Sequence, residues 1–142
     1  EWKSRRVEEQ ESRKMKETNT PIIQGYRNPI VYQKAKNLVL LVYKTTEGFP
    51  KVEQYVLLPQ IRRVVISVVA NIVEGYIRKS RKEFLRFLEI SIGSATELEL
   101  YLEISLDLKY LDQKNFDTLN YNLIEVKKLL YSFQRSLKTS QK

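Results

Sequence analysis

This 142-residue chain is expected to be all-α, an antiparallel up-and-down four-helix bundle. Three observations predict it. Only four glycines and four prolines occur, too few to punctuate a series of short strands. Apolar side chains recur at steps of three and four over long runs, the period of a helix face. Apolar residues make up 42% of the chain and charged residues 30%, which gives one core without an excess of greasy surface.

Residues 1 to 20 carry six basic and five acidic side chains, and Val7 and Met15 are their only aliphatic ones. Such a stretch buries too little to fold alone, so 1–28 is expected to be a flexible N-terminal segment. Met15, the single methionine, is the expected natural start, which would make residues 1–14 upstream sequence that is not native. Pro21, Gly25, Asn28 and Pro29 then mark a loop.

Residues 29–138 form the expected bundle, followed by a short tail at 139–142. Val31, Ala35, Leu38 and Val42 make the stripe of the first helix, with Gly48 in position to cap its end. Pro59 fits the first turn of the second helix, or a kink in it. Ile61, Val65, Val68 and Ile72 form that helix's main stripe, while Ile66, Val69 and Val73 leave other sides apolar. A helix apolar on several sides is buried on several sides, in a bundle centre or against another subunit. The helix is expected to stop near Glu74-Gly75, with a turn at 75–79.

Ser80-Arg81-Lys82-Glu83 reads as a capping box that starts the third helix. Phe84, Leu88, Ile92, Ala95, Leu98 and Leu102 carry it to about Tyr110. The small Gly93-Ser94-Ala95 patch in its middle suits close helix packing. After a connection of about two residues at 110–111, Asp112 is the expected N-cap of the fourth helix. Phe116, Leu119, Leu123, Val126, Leu130, Phe133 and Leu137 run through that helix as an unbroken heptad seam.

Several chemistries are excluded early. The chain has no cysteine and no histidine, which removes disulfides, the usual structural zinc sites, thiol nucleophiles and the commonest general base. Glu99, Glu103 and Asp107 share a helix face, yet a di-metal carboxylate bundle also requires Glu-x-x-His pairs. A pure carboxylate magnesium site on these acids is the least favoured alternative to a solvated or partner-facing acidic strip, and no catalytic residues, metal site or cofactor are expected. No apolar run reaches membrane-spanning length, so no membrane association is expected and the cytoplasm is the default compartment.

Charge is the informative property. The net charge is +8, which draws polyanions. Arg62 and Arg63 sit together on the second helix. Arg78, Lys79, Arg81 and Lys82 cluster at the turn, and Arg86 follows one helical turn later. Residues 60–90 thus hold seven basic side chains against Glu74, Glu83 and Glu89, whereas 91–112 hold five acidic ones against Lys109. One end of the bundle should be positive and the other negative. Tyr76, beside the cluster, is a candidate for stacking on a base. Arg62, set among apolar residues, needs a partner, and Glu74, Glu97 and Glu99 are the candidates.

Four stretches taken together resemble a known family: Gln60-Ile61-Arg62-Arg63, the Asn71-Ile72-x-Glu74-Gly75 motif, the turn from Arg78-Lys79-Ser80 through Glu83-Phe84 to Arg86-Phe87-Leu88, and Gly93-Ser94-x-x-Glu97-Leu98-Glu99. The chain resembles, over about residues 29–111, the four-helix-bundle proteins encoded within intervening sequences of 23S ribosomal RNA genes. That family is related to the accessory variability determinant of diversity-generating retroelements, a basic barrel of five bundles that binds nucleic acid and a reverse transcriptase. The resemblance implies a homo-oligomer, with a pentamer favoured, and RNA or DNA as partner, with a reverse transcriptase as a further one. It implies oligomer-forming and nucleic-acid-contacting roles for Arg62, Arg63, Arg78, Lys82 and Arg86. Lys79 and Arg81 join the nucleic-acid set through the charge cluster. It also implies that Glu74, Glu97 and Glu99 are structural ion-pair partners of the arginines. Val64-Val65 stand where the family pattern has small residues, and Pro59 is unusual before Gln60.

The expectation is therefore a non-enzymatic, homo-oligomeric nucleic-acid-binding bundle associated with ribosomal RNA intervening sequences or a retroelement complex. The alternative is a protein-interaction adaptor whose charge polarity serves only assembly.

Overall fold

A computed structural model describes residues 29–139. The segment before Pro29, including the expected start at Met15, and the tail after Thr139 lie outside the described residues. Four helices follow one another: α1 (Pro29–Thr45), α2 (Leu57–Ile77), α3 (Arg81–Asp107) and α4 (Gln113–Thr139). Single 3-10 turns at Thr46–Gly48 and Lys51–Glu53 join α1 to α2. Among the described residues there is no strand.

Cross-links between the helices fix the up-and-down order. Ser67 on α2 meets Ser94 on α3 (2.8 Å), and the Ser91 hydroxyl donates to the Val68 carbonyl (2.7 Å). Arg63 reaches Glu97 (3.7 Å), so advancing along α2 means retreating along α3. Lys127 of α4 pairs with Glu99 of α3, and Lys34 of α1 pairs with Glu125 of α4, each at 3.0 Å. The fold is a closed ring of antiparallel neighbours. The α2–α3 turn, the start of α1 and the end of α4 share one end, called here the hairpin end.

The expected stripes are the core. Val31, Ala35, Leu38, Val42, Ile61, Val65, Val68, Ile72, Leu98, Leu102, Leu119, Leu123 and Leu130 are all at most 1% exposed. Val64 and Val65, larger than the family pattern, are both fully buried, so the extra methyls fill core space. The heptad seam of α4 is buried from Leu119 to Phe133, and Phe116 and Leu137 pack at its edges.

Both predicted N-caps are present. The Ser80 hydroxyl accepts from the Glu83 amide (3.0 Å), and the Asp112 carboxylate accepts from the Asn115 amide (2.7 Å). Pro59 occupies the first turn of α2, where its missing N–H costs nothing.

Four local expectations are corrected. Gly48 does not cap α1 in the left-handed region, since no described glycine has a positive φ. The Thr45 and Thr46 hydroxyls instead donate back to the Leu41 and Val42 carbonyls (both 2.7 Å), and Phe49 leaves in an extended conformation. Helix α2 runs two residues past Gly75, so the turn is Arg78–Ser80 and not 75–79. Gly75 lies inside the helix, where an added Cβ would sit 3.4 Å from Phe87 and 3.5 Å from Phe84, so it marks close packing and not a stop. Helix α3 ends at Asp107, not Tyr110. Lys109 takes the left-handed conformation (φ 64°), and the Lys109 and Tyr110 amides return to the Leu106 and Ser105 carbonyls, both at 2.9 Å. This is a Schellman cap built without glycine, which is why nothing in the composition announced it. The α3–α4 connection is accordingly Leu108–Asp112, longer than two residues.

Of the small patch on α3, Ser94 and Ala95 are buried against α2, while Gly93 faces solvent.

Two phenols donate to glutamates, one within α3 and one between the two connections at the far end. Tyr101 donates to Glu97 (2.7 Å) and Tyr110 to Glu53 (3.2 Å). Both ionise above the ordinary value of 10.0. For Tyr101 the bond to Glu97 is the main cause, with desolvation second. For Tyr110 desolvation comes first and the Glu53 bond second. A folded-state value raised above the unfolded one stabilises fully below pH 10 and is lost as pH climbs through the raised value. Stability measured by denaturant titration should therefore fall from about pH 10 upward. The fall should be shallower in Tyr101→Phe; an unchanged slope would remove this account.

Candidate nucleic-acid interface at the hairpin end

The hairpin end is organised around three rings. Tyr76 of α2 meets Phe84 of α3 edge-on (centroids 5.4 Å), and Phe133 of α4 packs against both (5.1 Å to Phe84, 6.1 Å to Tyr76). This plug fixes the ends of three helices against one another. It also corrects the role expected of Tyr76: at 4% exposure its ring is committed to the core and has no face left for a base.

Five of the seven predicted cations surround the plug. Arg78, Lys79, Lys82 and Arg86 are exposed, and Arg81 is half-buried. Phe87 orders two of them, since its ring lies 4.9 Å from the Arg78 guanidinium and 4.8 Å from that of Arg86. Arg78 also pairs with Glu74 and Arg86 with Glu83, each at 3.2 Å. These are exposed pairs, which water and salt screen strongly. Lys79 and Lys82 form no ion pair with the described residues.

Helix α4 adds two cations that sequence reasoning missed. Phe133 belongs to the plug, so the exposed Arg135 and Lys138, within the next turn and a half, sit at the same end. The signal was available: an antiparallel fourth helix must finish beside the second–third turn.

Arg62 and Arg63 are not part of this cluster. Sixteen residues of helix separate Arg62 from Arg78, roughly 24 Å at 1.5 Å per residue. Arg63 pairs with Glu97. Arg62 finds none of its expected carboxylates. Its Nε and Nη2 donate to the Thr46 hydroxyl (both 3.3 Å), Nη2 also donates to the Tyr43 carbonyl (3.4 Å), and its guanidinium stacks on the Tyr43 ring at 4.6 Å. Of the predicted acidic partners, Glu74 and Glu97 hold arginines as expected, whereas Glu99 holds Lys127 across the α3–α4 seam. An arginine was expected there because the fourth helix was read for its apolar seam alone.

The far end is mixed rather than negative. Glu103, Asp107 and Asp112 lie there as expected, and Glu47, Glu53 and Asp117 join them, but Lys44 at the end of α1, Lys51, Lys109, Lys114 and, from the start of α2, Arg62 and Arg63 stand at the same end and balance them. Among the described residues no three acidic side chains converge to hold a metal ion, and no helix is long and apolar enough to cross a membrane.

One feature was half legible. Ile66, Val73 and Ile77 are 41–56% exposed and share a stripe of α2 with the exposed Ala70. Ile90, Leu100 and Ile104 are 36–53% exposed and share a stripe of α3 with Gly93. The Arg63–Glu97 pair bridges the two stripes, so they form one apolar face. The second helix is indeed apolar on several sides, and its outer side is covered by nothing in the described chain.

The model of the 23S rRNA-intervening sequence protein family matches residues 27–132. The chain belongs to that family. Its bundle is similar to the crystal structure of a protein of unknown function from the S23 ribosomal protein family of Bacteroides thetaiotaomicron. The two share 26% sequence identity with a TM-score of 0.71, and the match covers 76% of this chain and 97% of that one. A search of curated proteins finds no match. For this 23S rRNA-intervening sequence protein, then, the family and the bundle are fixed together, and the four motif stretches all fall inside the matched span.

Proposed function

We propose that this protein is a non-enzymatic, homo-oligomeric nucleic-acid-binding bundle that holds the phosphate backbone of structured RNA or DNA at its hairpin end. The observation that carries the reading is the gathering of Arg78, Lys79, Arg81, Lys82, Arg86, Arg135 and Lys138 around one aromatic plug. Three acidic side chains, Glu74, Glu83 and Glu89, lie near them. A rigid cationic end suits a polyanion whose charges are closely spaced, and neutralising it releases condensed counterions. The family's link to ribosomal RNA intervening sequences makes fragmented ribosomal RNA the first ligand to try. Fluorescence anisotropy with duplex and single-stranded RNA across stepped salt tests the reading. The logarithm of the binding constant should fall linearly with the logarithm of salt concentration. Absence of binding at low salt overturns it.

The apolar face on α2 and α3 supports self-association, because an exposed apolar patch of this extent marks an interaction surface. Light scattering should give a mass that is a multiple of the 16.9 kDa chain. The double variant Ile66→Glu with Leu100→Glu should run as a monomer with its helical circular dichroism unchanged, since both side chains point away from the core. A wild-type monomer would favour the second reading, in which the same face docks a different protein and the chain is an adaptor.

A further inference from the structure

A cleft of about 610 Å³ lies beside Arg62 at the end of the bundle opposite the hairpin, between the α1–α2 connection and the start of α2. We infer that it binds a small organic monocarboxylate carried on an aromatic or branched apolar body, with the Arg62 guanidinium as its anchor. This inference does not depend on nucleic-acid binding at the hairpin end.

The argument starts from an unmatched cation. Arg62 is half-buried, and its protein partners are all neutral: a hydroxyl, a backbone carbonyl and a phenol ring. No carboxylate pairs with it among the described residues. A guanidinium has five N–H donors, and the bonds it makes use Nε and Nη2 only, leaving both Nη1 hydrogens for a ligand. A partly desolvated charge without a counter-ion is improved by an anion more than an exposed one is.

The group is also held still. Thr46 is fully buried and donates its hydroxyl hydrogen to the Val42 carbonyl (2.7 Å), so only its lone pairs are offered to Arg62. The Tyr43 ring supports the guanidinium plane at 4.6 Å. A guanidinium fixed in this way holds its Nη1 hydrogens in one place, where a carboxylate oxygen can accept a charge-assisted bond from one of them.

The rest of the wall selects the ligand. Phe49, Leu58 and Pro59 give apolar surface, and Tyr55, 85% exposed, stands at the rim as a stacking face. Glu47, Lys51 and Arg62 are the charged groups lining the cleft, a net +1 that matches a monoanion better than a phosphate dianion. Glu53 is outside the lining, its charged carboxylate turned to the Leu57 amide (3.1 Å) and the Tyr110 hydroxyl (3.2 Å). The volume is in the range of small-molecule sites.

The test uses 3-phenylpropionate as the probe, with 3-phenylpropionamide and phenyl phosphate as controls, titrated into the isotope-labelled full chain and followed by amide NMR shifts. The acid should give saturable shifts at Gly48, Phe49 and Gln54. Both controls should bind about tenfold more weakly or worse. Lys51→Ala, an exposed substitution, should weaken the acid about threefold, and Arg62→Gln should abolish its binding. Equal binding of acid and amide would show an apolar cleft without anion recognition, and tighter phenyl phosphate would show a phosphate site; each overturns the inference, as does absence of shifts. Should Arg62→Gln fail to fold, the acid–amide comparison and Lys51→Ala still decide the matter on the wild-type framework.

Discussion

Phe84→Ala is expected to cost about 3–5 kcal/mol, the usual range for removing a fully buried ring. Phe84 is 1% exposed, meets Tyr76 and Phe133 edge-on, and lies against Gly75. The neighbours cannot readily collapse into the hole, because they are fixed on two other helices, Tyr76 and Gly75 on α2 and Phe133 on α4. Since whole domains are stable by about 5–15 kcal/mol, this one change takes much of the margin. Chemical denaturation of the variant checks it. The substitution should also degrade phosphate binding without touching a charge, since the cations at the hairpin end are held in place by the plug. A loss below about 1 kcal/mol would mean that the plug is loosely packed.

The triple variant Lys79→Gln, Lys82→Gln, Arg86→Gln should lower the slope of binding against salt by about 2–3, three contacts at roughly 0.7–0.9 each. At low salt the affinity should fall on the order of a hundredfold or more, because each lost phosphate contact removes both attraction and counterion release. These side chains are exposed, so the fold should survive: surface changes of this kind usually move stability by less than about 0.5 kcal/mol. The matching control is Lys44→Gln with Lys114→Gln at the far end, which should leave the slope nearly unchanged. Equal effects from both variants would mean that net charge alone drives binding, and the assignment to one end would fail.

The helices were readable because their information is local. A stripe such as Val31, Ala35, Leu38 and Val42 needs one face and one period, and Ser80 and Asp112 act on amides only three residues away. What escaped depends on the third dimension. Gly75 looks like a stop until Phe84 and Phe87 are placed against it. Tyr76 looks free to stack until α4 delivers Phe133. Glu99 reads as an arginine's partner until Lys127 arrives from the neighbouring helix. Arg62 was expected to need a carboxylate and found a threonine hydroxyl and a carbonyl, because the end of α1 folds over it. The charge cluster was legible in its sequential part, Arg78 to Arg86. Arg135 and Lys138 were not, because they are neighbours in space and fifty residues distant along the chain.

The closed antiparallel ring brings Pro29 and Thr139 out beside the three-ring plug. A bulky label attached to the last turn of α4 would therefore crowd the cationic pole and blunt the measurements described above. The Leu108–Asp112 bend, at the remote tip, is the sensible anchorage for an immobilised sensor, because it leaves that pole pointing into free solution.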